Sequence, residues 1–373
     1  MNPAPLSAPL KTPSAPEPLA VAVAMSGGVD SSVAAALLVE QGHRVVGVHM
    51  KLSPPAEHAP RPASCCSLDD ALDARLVCAK LGIPFVVLDF QQRFQAAVVD
   101  PFCKSYGQGK TPNPCVLCNQ HIKSRALLAE VRRLGCTHLA TGHYAAVRQG
   151  PANRWQLIKP ADQARDQTYF LFGTPAEELP FLLFPLAGLE KPEARRLAAN
   201  LGFGTWDKPD SQEICFVPDD YRAFVESRGG GTPPGDLVDT TGRVLGRHQG
   251  LHRYTVGQRK GLGLSSPQPL YVVRLDAATN RVVVGEESEL WVESFQVEGV
   301  NWVSIEAPQA PLEVLVRVRS THEGQTGRVI PQPNGTARVV LRQPVRGVTP
   351  GQAAVFYQEN VLLGGGWILP EAP

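Results

Sequence analysis

The chain has 373 residues, of which 43% are hydrophobic and 19% are charged, and this composition excludes a fibrous or disordered protein. The 36 Lys and Arg residues nearly balance the 35 Asp and Glu residues, for a formal net charge of +1, so no global field indicates a nucleic-acid partner. No apolar run approaches the roughly 18 residues that cross a bilayer, and the first residues lack the apolar core of a signal peptide. We therefore expect a cytoplasmic protein without a membrane partner.

Four stretches of the chain differ in composition. Residues 1–18 are rich in proline and predict a disordered tail outside the fold. Apolar runs of strand length alternate with helical segments over residues 19–217, which predicts an α/β domain with a doubly wound parallel sheet. Turn-rich strands then predict a small β-rich central domain at 218–287 and a C-terminal β-barrel at 288–373.

In chain order, the first domain starts with a strand, a glycine turn, a helix and a second strand, which together predict a βαβ unit. A helix is expected over Leu68–Leu81, with Leu72, Leu76 and Ala79 as an apolar stripe that faces the core. A third strand, two helices and a strand from His138 continue the pattern. The expected strands are 19–25, 44–50 and 83–90, and the expected helices are 33–39, 68–81, 94–106 and 122–134.

The last two domains are predicted from strand patterns. Two β-branched runs joined by Ala-Ala-Thr-Asn predict a hairpin in the central domain. In the barrel, Val314, Val316 and Val318 share one face of a strand, and Arg317 and Arg319 share the other. Further barrel strands are expected at 326–330, 336–342 and 352–357.

The segment SGGVDSS at 26–32 lies between the first strand and the first helix. Backbone N–H groups and the helix dipole bind phosphate at such a turn, and glycines allow close approach. The patterns G-x-x-x-x-G-K-[ST] and G-x-G-x-x-G are both absent, so neither γ-phosphoryl transfer nor dinucleotide binding is favoured. The segment resembles the pyrophosphate loop of enzymes that adenylate an oxygen, a group that includes asparagine and GMP synthetases and tRNA thiolases.

Cys115 and Cys118 stand in C-x-x-C spacing on a proline-stiffened loop that leads into a helix. Such spacing lets two sulfurs face one ion, and a helix start favours the thiolate. The spacing alone leaves a redox pair, half a metal site and plain loop packing open. Cys78, Cys103 and Cys136 are expected in the core, and the adjacent Cys65 and Cys66 are expected to be incidental.

The segment from Arg243 to Lys260 holds five Lys and Arg residues, two His and no acid, with Tyr254 among them. This pattern predicts a hairpin that contacts nucleic-acid phosphates, and its structural alternative is a solvated charged face. His143 follows a strand that should reach the nucleotide, where a catalytic and a structural role both remain open.

Six longer motifs follow one another along the chain: TPNPCVLCN (111–119), ATGHY (140–144), RDQTYFL (165–171), KPDSQEICF (208–216), GRHQGLHRYTVGQRKGLG (246–263) and TPGQAAVFY (349–357). In this order they resemble the bacterial tRNA-specific 2-thiouridylase family, the wobble-uridine thiolases, over about residues 19–368. The resemblance implies a pyrophosphate-loop adenylating domain, a central domain that contacts tRNA, and 2-thiolation of the wobble uridine.

The resemblance also implies site residues. The catalytic residues are Cys118 on the substrate side, Cys215 as the sulfur carrier, and Asp30. The implied ATP contacts are Ala24, Met25, Ser26, Gly27, Gly28, Val29, Asp30, Ser31, Met50 and Gly142. The implied tRNA contacts are Asn113, Pro114 and Cys115 at the target base, and Arg165, Asp166 and Gln167, where Asp166 either positions the reacting groups or is an ordinary exposed loop acid. The basic segment adds Arg253, Arg259 and Lys260 as tRNA contacts, and the barrel adds Arg319 and Ser320.

Two positions depart from the family pattern. Many members carry Asp where this chain has Cys115, so Cys115, Cys118 and Cys215 are candidate ligands of a [4Fe–4S] cluster whose open iron binds hydrosulfide. This route is favoured over a persulfide relay between Cys215 and Cys118. The family's Arg-Tyr pair falls on Arg319–Ser320, which puts the aromatic stacking partner there in question.

These features predict an enzyme that uses ATP and Mg²⁺ to adenylate the uracil 2-oxygen and then replaces that oxygen with sulfur, with release of AMP and pyrophosphate. Its expected partners are tRNA and a sulfur donor, either a carrier protein or hydrosulfide. Two other functions stay open. One is an adenylating amide-forming synthetase, and the other is a non-catalytic RNA-binding protein with a structural metal site.

Overall fold

A computed structural model describes residues 17–52, 68–210, 214–217 and 220–370. These residues form a five-stranded parallel sheet, a four-stranded mixed sheet, and an antiparallel barrel that a hairpin extends. The expected doubly wound sheet and C-terminal barrel are therefore confirmed. Most of the predicted tail at 1–18 lies outside the described residues, as do Cys65 and Cys66. No helix in the described ranges combines the length and the hydrophobicity needed to span a membrane.

The strands are β1 (Ala20–Ala24), β2 (Arg44–Lys51), β3 (Phe85–Asp89), β4 (His138–Ala140), β5 (Ala146–Gln149), β6 (Trp155–Ile158), β7 (Leu182–Leu183), β8 (Gly235–Asp239), β9 (Val244–His248), β10 (Tyr271–Asp276), β11 (Arg281–Gly285), β12 (Trp291–Trp302), β13 (Leu312–Arg317), β14 (Gln325–Gln332), β15 (Thr336–Arg346), β16 (Ala353–Gln358) and β17 (Val361–Ile368). The helices are α1 (Val29–Glu40), α2 (Leu68–Leu81), α3 (Gln91–Phe94), α4 (Asp100–Gly107), α5 (Pro114–Leu117), α6 (Leu127–Arg133), α7 (Lys191–Asn200) and α8 (Tyr221–Ser227). π-helical turns at Gln95–Val99 and Cys118–Ala126 join α3 to α4 and α5 to α6.

The parallel sheet has the strand order β3-β2-β1-β4-β7. Its central strand β1 is buried on both faces, because Val21 and Val23 pack into one core cluster and Ala20 and Ala22 into another. A strand that is apolar on both faces is typical of parallel sheets. The chain order reverses on either side of β1, so the carboxyl ends of β1 and β4 form the switch point at which α/β sheets bind ligands.

Helix α2 has the expected limits, but its buried face is the opposite of the predicted one. Leu72 and Leu76 are 54% and 59% exposed, whereas Asp70 and Ala74 are buried. The predicted stripe is wrong because the helix buries another apolar face: Ala74, Val77 and Cys78 are buried and pack into the core cluster that holds Val21 and Val23. Asp70 lies on the same face, and its carboxylate lies 2.5 Å from the ammonium of Lys208.

The helix expected at 122–134 begins earlier, at Pro114. Proline suits the first turn of a helix, and Asn113 before it is extended. A π-helical turn then starts at Cys118, and such turns are frequent at functional sites. Because residues five apart share one side of a π-helical turn, Cys118 and Lys123 both reach the same cavity wall.

The central sheet has the order β10-β11-β8-β9. The predicted hairpin is confirmed as the antiparallel pair β10–β11, with Asn280 in the left-handed conformation at a φ of 53°. The hairpin expected at 243–260 is wrong. Only its start forms a strand, β9, which pairs with β8, and a 3-10 turn at Leu251–Arg253 and a loop follow.

The barrel closes through pairing of β12 with β17. Val314, Val316 and Val318 lie in its core, as their alternation predicts. The hairpin β5–β6 of the first domain adds to the barrel edge, with Ile158 opposite Val361. Backbone pairing therefore ties the barrel to the first domain.

Arg317 is buried, although the alternation of β13 predicts a solvent-facing side chain. Its guanidinium lies 2.6 Å from the carboxylate of Asp166, and the two side chains are 11% and 5% exposed. The rings of Tyr169 and Tyr357 lie beside the guanidinium. The interpretation of Asp166 as an exposed loop acid is therefore wrong, because the barrel covers it.

Removing the Arg317 charge should destabilise the protein. We expect Arg317→Met to cost about 3 to 5 kcal/mol in unfolding free energy, because it leaves the Asp166 carboxylate buried without its cation. Arg328→Met in the adjacent strand β14 is the control, since it breaks a pair with Glu313 whose side chains are 57% and 63% exposed and should cost less than about 1 kcal/mol. Urea unfolding followed by circular dichroism measures both variants. Equal losses would contradict a stabilising role for the buried pair.

Candidate active site

A cavity of about 580 Å³ opens at the carboxyl ends of β1 and β4. Its wall includes three segments that are distant in the sequence: the glycine turn, the C-x-x-C helix, and residues 208–210 with 214–216. Every expected ATP contact except Gly27 lines this cavity, and Cys115, Cys118 and Cys215 line it as well. The structure thus brings the predicted phosphate site and the predicted sulfur residues to one place.

Two glycines allow the turn to pack closely on its neighbours. Gly27 has a left-handed φ of +77°, and a Cβ there would lie 2.4 Å from the carbonyl oxygen of Asp70. Gly142 follows β4, and a Cβ there would lie 2.7 Å from the backbone of both Asp30 and Ser31. No larger residue fits at either position without moving the turn.

The serine hydroxyls of the turn bond within the turn itself. The hydroxyls of Ser31 and Ser32 donate to the Gly28 carbonyl at 3.2 and 2.8 Å. Gly28 is the N-cap residue of α1, and it has no side chain that could accept a hydrogen bond from the first N–H groups of the helix. The N–H groups in the first turn of α1 therefore remain available to an anion such as phosphate.

Lys191 is the centre of a charge cluster beside the turn. It is 5% exposed, and its ammonium lies 2.8 Å from Asp30 and 2.7 Å from Asp210. Arg165 and Arg195 pair with Asp210 at 2.9 and 3.1 Å. Burial raises the pKa of Asp210, but the hydrogen bond and charge of Lys191 and the two arginine charges outweigh it and lower the pKa overall.

Lys208 makes a second link between the turn and the segment 208–216. Its ammonium donates to the Gly27 carbonyl at 3.2 Å and pairs with Asp70 and Asp73 at 2.5 and 2.9 Å. Burial lowers the pKa of Lys208, but the hydrogen bonds and charges of the two carboxylates outweigh it and raise the pKa overall. Lys208 thus holds residues 208–210 against the turn, and Asp210 connects the same residues to Lys191.

The three sulfur residues on the cavity wall differ in exposure. Cys115 is exposed in α5, whereas Cys118 and Cys215 are half-buried. Among residues 17–52, 68–210, 214–217 and 220–370, no three His, Cys, Asp or Glu side chains lie close enough to hold one metal. The described residues therefore show no site for a single metal ion, and ligation of a [4Fe–4S] cluster by the three cysteines stays a prediction.

Three other cysteines lie in the core, as predicted. Cys78, Cys103 and Cys136 are buried. Burial raises the pKa of the Cys78 thiol to about 11, which keeps it protonated and unreactive near neutral pH.

Lys123 and His143 form a polar pair on the cavity wall. The lysine ammonium lies 3.2 Å from Nε2 of His143, and Nδ1 of the ring lies 2.7 Å from the hydroxyl of Thr141. Burial and the charge of Lys123 lower the pKa of His143 well below its ordinary value. The ring is therefore neutral at pH 7 and accepts a hydrogen bond from the lysine, which makes His143 a residue that orients a cation.

The predicted tRNA contacts are divided between the cavity and the outer surface. Pro114, Cys115, Arg165 and Gln167 line the cavity, whereas Asn113 does not. The Asp166 side chain is covered by the barrel, and it pairs there with a buried arginine.

The outer contacts lie on the central domain and the barrel. Arg259 and Lys260 are exposed, as is Arg319, and Ser320 is half-buried. Arg253 pairs with a carboxylate, that of Glu226, at 2.6 Å. Tyr254, which stands among these basic residues in the sequence, is 7% exposed and packs in the core of the central domain.

Four charged residues that line the cavity are not predicted as site residues by the sequence patterns: Lys123, Lys191, Lys208 and Asp210. Lys208 and Asp210 belong to the motif KPDSQEICF, so two opposite charges just before a cysteine were an available signal. Lys191 offers no such signal, because a lysine in the first turn of a helix is ordinarily solvated. Its burial arises only when α7 packs against the turn.

Three family models match the chain in succession. The model described as the tRNA methyl transferase HUP domain matches residues 19–219. The tRNA methyl transferase PRC-barrel domain matches residues 222–286, and the Aminomethyltransferase beta-barrel domain matches residues 292–368. Among solved structures, NMN synthetase from Francisella tularensis is a distant match, with a TM-score of 0.33 and 17% identity, covering 57% of this chain and 78% of that chain.

Curated relatives match over nearly the whole chain. The tRNA-specific 2-thiouridylase MnmA of Acidobacterium capsulatum is 47% identical over 94% of this chain and 98% of its own length. The protein of the same name from Geotalea uraniireducens is 48% identical over 93% and 94%, and that from Rhodospirillum centenum is 49% identical over 95% and 93%. With this identity and coverage, the chain belongs to the tRNA-specific 2-thiouridylase family, as its six motifs predict.

Proposed function

We propose that the protein is an ATP-dependent sulfurtransferase that converts the wobble uridine of tRNA to 2-thiouridine. The observation that carries the proposal is one cavity whose wall holds the phosphate turn, Cys118 and Cys215. The reaction needs a phosphate site close to a sulfur nucleophile, because AMP is attached to the oxygen of carbon 2 and sulfur attacks that carbon. The cavity volume of about 580 Å³ lies within the roughly 300 to 1,000 Å³ that ligand sites occupy. The relatives named tRNA-specific 2-thiouridylase support the substrate class.

The first chemical step is activation of the uracil 2-oxygen, because this oxygen is a poor leaving group. We infer that ATP bound at the glycine turn transfers AMP to the oxygen and releases pyrophosphate. The N–H groups at the start of α1 bind its phosphates, and Lys123, oriented by His143, offsets their charge. Mg²⁺ binds through substrate phosphates and one or two carboxylates, and Asp30 is the carboxylate that the turn supplies.

The second step is delivery of sulfur. We infer that the terminal sulfur of a persulfide on Cys215 attacks carbon 2 and that AMP leaves. The thiolate of Cys118 then attacks the Sγ of Cys215, which releases the 2-thio group and forms a Cys118–Cys215 disulfide. The transferred sulfur is reduced and the two cysteines are oxidised, so an external dithiol must reset the pair.

The [4Fe–4S] route is the alternative for this step, and it requires Cys115 as a third ligand. Cys115, Cys118 and Cys215 line one cavity, and three thiolates would leave one iron of such a cluster open to hydrosulfide. We derive the step through the persulfide because it needs only Cys118 and Cys215, and the cysteine variants below separate the two routes. Cys115 then serves only at the target base, together with Asn113 and Pro114.

The protein must also bind the tRNA backbone, because turning one base out of its stack costs a few kcal/mol. We propose that the central domain at 218–287 makes these backbone contacts through Arg259 and Lys260, which are exposed. Arg319 of the barrel is exposed too and extends the positive surface. Of the outer contacts expected from the sequence, Arg253 is the weakest, because its charge is already paired with Glu226.

One experiment tests the proposed function. Anaerobically purified protein is incubated with undermodified tRNA, ATP-Mg²⁺ and a sulfide or persulfide source, and the nucleosides are then analysed by mass spectrometry. We expect 2-thiouridine that depends on ATP and is accompanied by pyrophosphate. An amide-forming synthetase or a non-catalytic RNA-binding protein yields none under any of these conditions.

The cysteines separate the two sulfur routes. We expect Cys118→Ser and Cys215→Ser to lose thiolation by more than 100-fold, as is typical for removal of a nucleophile, while pyrophosphate release continues. Cys115→Asp should stay within about tenfold of the native rate if sulfur comes from a persulfide. Loss of activity in Cys115→Asp together with loss of bound iron would instead support the cluster. Cys136→Ser, in the core, is the control.

Gly142 tests the phosphate site. We expect Gly142→Ala to reduce ATP–pyrophosphate exchange at least tenfold, because the added Cβ would lie 2.7 Å from the backbone of Asp30 and Ser31 and push the turn away from the phosphates. Gly188→Ala is the matched control, since a Cβ there meets nothing within 4 Å. If both variants exchange pyrophosphate at the native rate, ATP does not bind at this turn.

A further inference from the structure

Asn119 carries a buried acceptor that the fold leaves unpaired. The residue follows Cys118 directly, is 4% exposed and lines the cavity. Its Oδ1 is buried and has no hydrogen-bond partner in the described part of the chain. Because buried polar atoms are nearly always paired, such an atom on a cavity wall indicates a donor that arrives with a ligand.

The orientation of this amide is fixed by its other end. Nδ2 of Asn119 donates to the backbone carbonyl of Phe170 at 3.0 Å. Exchanging N and O would set two acceptor oxygens against each other, so the amide cannot turn over. The backbone carbonyl of Asn119 accepts from the Ser124 hydroxyl at 2.9 Å, which holds the residue in its π-helical turn.

The unpaired acceptor is particular to the cavity. Of the other side chains that carry such an atom in the described ranges, Arg154, Glu178 and Arg222 lie away from the cavity, and Nε of Arg346 lies 3.0 Å from the Glu287 carboxylate. Among these atoms, Oδ1 of Asn119 alone belongs to a residue that lines the cavity.

The proposed reaction brings few donors to this position. The ATP phosphates carry only acceptors, and the donors of ATP are its ribose hydroxyls and its adenine amino group. The uracil ring has a single N–H on its pairing edge, at N3, and N3 is bonded to carbon 2. Because carbon 2 must reach the sulfurs of Cys118 and Cys215, and both cysteines line the cavity together with Asn119, the N3–H is the ring donor that comes nearest to these residues.

We propose that Oδ1 of Asn119 accepts the N3–H of the target uracil and thereby selects uridine over cytidine. The inference rests on the proposed function, and it names the N3–H as the group by which the site recognises its substrate. Cytosine has an unprotonated N3, so it sets a lone pair against Oδ1 and leaves the acceptor unpaired. A site built to bond an N–H group strongly rejects an analogue that lacks it.

The test compares two tRNA transcripts that differ only in uridine or cytidine at the wobble position. Their dissociation constants are measured with a non-hydrolysable ATP analogue for the native protein, Asn119→Ala and Gln120→Ala. We expect the native protein and Gln120→Ala to prefer uridine at least about tenfold, which corresponds to one hydrogen bond. Asn119→Ala should bring the ratio of the two constants to about one.

A purely structural role for Asn119 predicts a different result. Asn119→Ala would then raise the dissociation constants of both tRNAs by the same factor and keep their native ratio. This outcome overturns the inference, and so does a ratio of about one for the native protein. The nucleoside assay on the native protein separates the two proposals. If 2-thiouridine forms while the ratio is insensitive to Asn119, only this inference fails, whereas absence of 2-thiouridine refutes the function on which it rests.

Discussion

A buried lysine shared by three chain segments determines how the cavity forms. Lys191 contributes its ammonium from the first turn of α7, and it pairs with Asp30 in the phosphate turn and with Asp210 in the segment before Cys215. A charge buried this deeply is tolerated only when opposite charges match it, so all three segments must pack together. The charge cluster therefore stabilises the arrangement that brings the glycine turn and Cys215 to one cavity.

The loop at 165–167 connects this charge cluster to the barrel. Arg165 pairs with Asp210 on the cavity wall, and the Gln167 side chain accepts the N–H of Tyr144 at 2.9 Å. Between them, Asp166 pairs with Arg317 of the barrel. Three consecutive residues thus contact the segment before Cys215, the segment after β4 and the barrel.

Local patterns predicted the parts of the site that local physics determines. The strand β1, the glycine turn and α1 follow from an apolar run, a pair of glycines and helix formers, and the C-x-x-C pair follows from its spacing. The partners of Lys191, Asp166 and Arg317 could not be predicted, because each lies in a segment distant in sequence, and its burial depends on packing between elements. The exposed face of α2 was mispredicted because this helix carries two apolar sets, and the set with Ala74, Val77 and Cys78 is the one that packs into the core.

The central claim is that the nucleotide, the target base and both sulfurs meet in one cavity. The most direct measurement is an experimental structure of the protein with tRNA and a non-hydrolysable ATP analogue. The account predicts the α-phosphate at the first turn of α1 and the wobble uracil in the cavity, with its carbon 2 between that phosphate and the sulfurs of Cys118 and Cys215. A uracil bound outside the cavity, or a nucleotide away from the glycine turn, would contradict it.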